Sequence, residues 1–170
     1  MQANLGTHVD GRKIDDHGHA FIQCRSGAKI ILTASQIMQG HANDLDVEWH
    51  GSKGSLYWKQ EDPGFLELRI NGEPLARYQR NACKMTPIAA SLCRVPGGHE
   101  EAYLEGFANV YVQAMAQMRR AKAGETQPTD PLALAPSIST GVLGNLFIDR
   151  ALKSSSQDGN WVKFDHFICG

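Results

Sequence analysis

The sequence predicts an α+β fold: a largely antiparallel, open-faced β-sheet with two main helices packed on one face. Two observations carry this. Period-two alternation and turn pairs fill the first half of the chain, and helical spacing replaces them after residue 100. Strands first and helices afterwards is the α+β order. The 170 residues suit a single domain, 1–170, large enough to bury a core without a disulfide or metal staple.

Residues 17–25 put Ala20, Ile22 and Cys24 on one side and His19, Phe21 and Gln23 on the other, and Ser26-Gly27 turns the chain. Residues 29–38 are apolar on both faces, with Ile30, Leu32 and Ala34 against Ile31, Thr33 and Ile37. Such a strand needs a cover on each side. Residues 44–50 alternate, with Leu45, Val47 and Trp49 inward. Gly51-Ser52-Lys53-Gly54 connects to a strand over 55–61, where Leu56 and Trp58 share a face. A strand over 65–70, the hairpin signal Asn71-Gly72 and a strand over 74–80 complete six strands in a meander. Residues 81–98 are irregular, with one short helix over 88–93. Tyr103, Phe107, Val110, Tyr111, Ala114 and Met118 then mark a helix over 100–122, with Gly124 as its stop. The stretch 126–131 is a loop containing Pro131. A second helix is expected over 136–154, with Ile138, Val142, Leu146 and Leu152 inward, and a last short strand over 161–164.

Composition excludes several classes. Hydrophobic residues make up 42% and charged residues 21%, ordinary for a globular chain, and the net charge of −1 offers no broad attraction to nucleic acid or an anionic membrane. No apolar run approaches a membrane span, and residues 1–16 are too polar for a signal peptide. Cys24, Cys83, Cys93 and Cys169 lack paired spacing and read as reduced thiols of a cytoplasmic protein.

The chemistry-bearing motifs are sparse. There is no G-x-G-x-x-G after a strand, no phosphate-binding G-x-x-x-x-G-K, no nucleophile elbow and no H-E-x-x-H. His17 and His19 would project to one side of a strand, but no second cluster completes a metal sphere, so Asp15-Asp16-His17-Gly18-His19 reads as a solvated strand entry and no metal is expected. His50 and His166 carry still less weight. The loop 81–98 running into a helix is where sites tend to sit. His99 falls near the expected N-cap with Glu100 and Glu101 in the first turn, which suits either capping or a site role.

Several stretches, in order, resemble the C-terminal domain of the glucose–fructose oxidoreductase / inositol dehydrogenase / MocA family. They are Gly11-Arg12-Lys13-Ile14-Asp15-Asp16, Ser26-Gly27-Ala28, Thr33-Ala34-Ser35-Gln36 with Gly40 and Asn43, and Gly51-Ser52-Lys53-Gly54-Ser55-Leu56-Tyr57-Trp58 with Gln60-Glu61-Asp62-Pro63. Pro96-Gly97-Gly98-His99-Glu100-Glu101-Ala102-Tyr103 and then Phe107, Ala108, Asn109 and Tyr111 complete the set, and the resemblance runs from about residue 3 to residue 164. It implies a parent NAD- or NADP-dependent oxidoreductase acting on a sugar, a cyclitol or a similar hydroxyl or carbonyl compound.

The resemblance implies that in such a parent this domain would form the substrate-side wall and the subunit interface, as a homodimer or higher oligomer through the sheet. The family's Gly-rich fingerprint, its E-K-P segment with a catalytic lysine and its helical D-x-x-x-H motif do not occur here. Asp15 with His19 and Asp46 with His50 match the last spacing, but on strands, where residues four apart stand roughly 13 Å apart. The chain is therefore expected to carry no catalytic residue, to bind no cofactor alone and to begin after the catalytic helix, as an excised fragment would. Gln36, Asn43, His99 and Tyr103 are the substrate-side candidates. The alternative is a non-catalytic sheet module that binds carbohydrate or protein.

Overall fold

The computed structural model describes residues 1–82, 84–130 and 133–164. The expectations for Cys83, Pro131, His166 and Cys169 fall outside them. The class is α+β, with seven strands in two antiparallel sheets and three helices among the described residues. The chain forms two compact units, residues 1–40 with 136–164 and residues 41–135.

The first unit holds a three-stranded sheet in the order β1 (Gln2–Gly6), β2 (His17–Gln23), β3 (Lys29–Ser35). Its register pairs Ala3 with Ala20, Ala20 with Leu32 and Phe21 with Ile31. One face carries Ala3, Leu5, Ala20 and Ile22. The helix α3 (Ile138–Ser155) packs there, and Met1, Ala3, Ala20 and Ala151 are buried with Leu5, Ile22 and Phe147 against them. Three alanines at this contact let helix and sheet approach closely.

Serines of the same helix satisfy the free edge of β1. The buried Ser154 hydroxyl accepts from Ala3 N–H at 2.8 Å and donates to the Asn160 carbonyl at 2.7 Å. Ser155 Oγ accepts from Leu5 N–H at 3.0 Å. Beyond them, the Met1 amino group donates to Val162 O and Val162 N–H donates to Met1 O, both at 2.7 Å. An edge strand that would otherwise expose unpaired backbone is thus covered.

The opposite face of this sheet, with His19, Phe21, Ile31 and Thr33, is open. Phe21 is 47% exposed and Ile31 74%.

The second unit holds a four-stranded meander, β4 (Asp46–Gly51), β5 (Gly54–Lys59), β6 (Phe65–Ile70) and β7 (Ala76–Gln79). The register lines Trp49 with Leu56, Leu56 with Leu68 and Leu68 with Ala76 on an apolar face. The other face is charged. Arg69 bridges Glu48 at 2.9 Å and Glu67 at 2.8 Å, and Arg77 lies over the Phe65 ring at 3.8 Å. Such exposed pairs contribute about 0–1 kcal/mol each. A short helix α1 (Pro87–Ser91) is capped by Thr86, whose hydroxyl accepts from Ala89 N–H at 3.3 Å. The long helix α2 (Tyr103–Ala123) ends at Gly124, left-handed at φ 69°.

The structure differs from the expected elements in three places. The expected meander is divided between two sheets, β3 pairing with β2 and β4 with β5, and the connection between them turns through Gly40 at φ 90° and Asp44 at φ 46°. Strand β1 is additional. Residues 161–164 form no ladder, only the single pair of Val162 with Met1.

Candidate functional site

The second unit gathers its chemistry where the end of β7, the loop 81–98 and the start of α2 meet. Helix α2 starts at Tyr103, later than expected, so His99 is not its cap and Glu100 and Glu101 precede the first turn. The carboxylate of Glu105 caps instead, accepting from Ala102 N–H at 2.9 Å. That bond, the amide of Glu105 itself and the charges of Arg80 and Arg94 hold the Glu105 carboxyl below its ordinary pKa, against the opposing pull of burial.

Glu101 has turned into the structure. Its side chain is 5% exposed. It accepts from Arg94 N–H at 2.6 Å and Val95 N–H at 3.4 Å, and it pairs with the guanidinium of Arg80. Arg80 also donates to the His99 carbonyl at 2.6 Å.

The loop is fastened elsewhere too. Arg94 donates through Nε and Nη2 to Asn109 Oδ1 at 3.0 and 2.7 Å, and Asn109 Nδ2 donates to the Leu92 carbonyl at 2.7 Å. Asn81, left-handed at φ 58°, donates from Nδ2 to the Val95 carbonyl at 2.8 Å. Gly98, at φ 84°, lets His99 N–H reach Pro96 O at 3.3 Å and close a tight turn.

A cavity of about 440 Å³ opens beside this loop, lined by Leu45, Trp58, Gln60, Pro63, Glu101, Tyr103 and residues of the first turns of α2. Tyr103 is 60% exposed, and its ring lies 4.9 Å from that of Phe107. Trp58 is oriented by its Nε1–H, which donates to the Pro63 carbonyl at 3.2 Å. Asn43 stands one side chain behind the wall, with Nδ2 donating to Gln60 Oε1 at 2.7 Å. The second unit therefore holds Tyr103 on the cavity, Asn43 behind it and His99 two residues from the lining Glu101. Gln36 belongs to the first unit, where its N–H donates to Asp16 O at 2.8 Å beside a smaller hollow shared with His17 and His19.

That hollow adjoins a second buried carboxylate. Asp16 accepts from His8 N–H at 2.9 Å and Val9 N–H at 3.0 Å, and it pairs with Arg12 at 3.3 Å. Burial works to raise its pKa, but the two amide donors and the Arg12 charge outweigh it, and the net shift is downward. His17 Nε2 and His19 Nε2 lie 2.9 Å apart, and His19 Nδ1 lies 3.0 Å from Thr33 Oγ1. Among the described residues no group of three or more His, Cys, Asp or Glu side chains could hold a metal ion. Gly51 and Gly54 pair across the β4–β5 turn, so they present no helix N-terminus to a pyrophosphate.

Sequence reasoning missed Arg80, Glu101 and Asn109 as the fasteners of this loop. Asn109 gave a signal, since an Asn inside a helix is poorly suited to it unless the side chain has a partner.

A search of the solved structures matches 95% of the chain to 45% of an oxidoreductase from Sinorhizobium meliloti, at 37% identity and a TM-score of 0.84. Its relatives are oxidoreductases of the glucose–fructose oxidoreductase / inositol dehydrogenase / MocA type. Among curated proteins, the uncharacterized oxidoreductase YfiI of Bacillus subtilis (strain 168) is 26% identical over 151 residues, or 89% of this chain and 38% of that one. An inositol dehydrogenase homolog from Azotobacter vinelandii, solved with NADH and myo-inositol, shares the fold at 24% identity and a TM-score of 0.82, over 95% of this chain and 42% of that one. No family model matches. The chain thus spans less than half the length of these oxidoreductase relatives. No helix among the described residues is long and apolar enough to cross a membrane.

Proposed function

We propose that residues 1–170 act as the substrate-side domain of a longer NAD- or NADP-linked oxidoreductase that works on a sugar, a cyclitol or a similar polyol. The observation that carries this is the match of 95% of the chain, at 37% identity, to less than half of an oxidoreductase. The inositol dehydrogenase homolog, bound to NADH and myo-inositol, supports the cofactor and substrate class. When bound in the longer enzyme, the nicotinamide would supply or take the hydride, and a lysine and a histidine outside this chain would handle the proton. This chain's part is to contact substrate hydroxyls through Asn43, His99 and Tyr103 of the second unit and to exclude water with an apolar wall, and Gln36 is a separate candidate on the first unit. The open face of the three-stranded sheet, with Phe21 and Ile31, is the subunit contact, and the compartment is cytoplasmic.

Calorimetry separates this from an independent binding module. The chain alone, titrated with NAD and NADP, is expected to show no binding, because pyrophosphate recognition relies on a Gly-rich turn at a helix N-terminus. Micromolar dinucleotide binding would overturn the division of labour. Tight binding of a carbohydrate to the chain alone would favour the non-catalytic module.

A further inference from the structure

His99 is held by its backbone and open at its ring. Its N–H donates to Pro96 O and its carbonyl accepts from Arg80, while its imidazole is exposed and makes no hydrogen bond with the described residues. A loop tip fixed in this way presents a side chain outward without spending it on the fold. The fixing runs through one group. Glu101 accepts from Arg94 N–H and Val95 N–H on one side of the turn, and it holds the guanidinium of Arg80, which grips the turn on the other. Hydrogen bonds to an ionised acceptor are the strong ones, and two of these donors are loop amides.

We infer that Glu101 is a positioning residue: its buried carboxylate latches residues 94–99 so that His99 is already in place when a ligand arrives. A preorganised loop spares the ligand the cost of ordering it. The inference rests on the proposed substrate-side reading for what the ligand is, but the latch itself stands on the contacts above.

Two measurements keep latch and reading apart. Amide hydrogen exchange on this chain tests the latch alone. In Glu101→Gln the amides of Arg94 and Val95 should exchange about tenfold faster or more, as loss of a charged acceptor implies. Those of β5, such as Trp58, should stay unchanged. Arg80→Gln, which removes the other half of the pair, should give the same local pattern if Glu101→Gln fails to fold. Unchanged exchange at Arg94 and Val95 would overturn the latch, and so would an increase shared equally with β5, which marks general loosening. In the longer enzyme, Glu101→Gln should raise KM for the polyol several-fold with kcat nearly kept, since lost preorganisation weakens ground state and transition state alike. A fall in kcat at unchanged KM would overturn the latch as well. A wild-type enzyme inactive on every polyol would sink the reading and leave the exchange result standing.

Discussion

Asp16 feels burial and hydrogen bonding in opposite directions, and the donors win. Its pKa in the folded chain lies below the ordinary value of 3.8. A carboxyl with a depressed folded pKa adds stability that is fully present above the unfolded value and is lost as pH falls through the folded one. Glu105 is depressed as well, so both act in the same window. Urea midpoints of the wild type should therefore be level near neutrality and fall on acidification below about pH 4. Asp16→Asn should be less stable at pH 7 and fall less steeply. Parallel pH profiles for the two proteins would contradict this role. At this scale the sequence was partly legible. Helical spacing sets Tyr103 with Phe107, and their rings do meet. The sequence alone places Glu101 as a helix-end charge, because its burial depends on the path of residues 81–98, and no local pattern encodes that path.

The strands β2 to β7 were legible because each carries its own alternation and its own turn, with Asn71-Gly72 the plainest case. Strand β1 was not, because it is held by groups far along the chain: Ser154 reaches Ala3 across 151 residues. The end of the chain is the converse. Residues 161–164 have strand composition, but their backbone pairing is limited to Val162 with Met1, while Phe164 packs on the core. Ser154→Ala tests how much this distant closure matters. It removes the acceptor of the Ala3 N–H inside a buried contact, so it should cost about 1–3 kcal/mol in equilibrium unfolding. Ser156→Ala, an exposed change one turn-end later, should lie within about 0.5 kcal/mol of wild type. Equal effects of the two would mean that the β1 edge is not held as described.

For the whole molecule, the two-sided apolarity of β3 signals an unmet need for cover. Helix α3 covers one face at β1 and β2, but on that side of β3 Ile30 and Leu32 stay 45% and 41% exposed, and Phe21 and Ile31 are open on the other. Exposed apolar patches on this scale usually mark interfaces, and a twofold self-contact is the commonest. The chain should sediment as a dimer or larger species at micromolar concentration, and Ile31→Lys should shift it toward monomer. A wild type that stays monomeric would place the cover elsewhere. The function is tested most directly by steady-state oxidation of a panel of cyclitols and sugars by the longer protein with NAD and NADP, comparing wild type with His99→Ala. The expected result is turnover of at least one polyol, with kcat/KM lowered about tenfold in His99→Ala, as for a lost substrate hydrogen bond, and the unfolding midpoint nearly unchanged. Turnover that His99→Ala leaves intact while the protein unfolds more readily, or no turnover of any polyol, would contradict the substrate-side role.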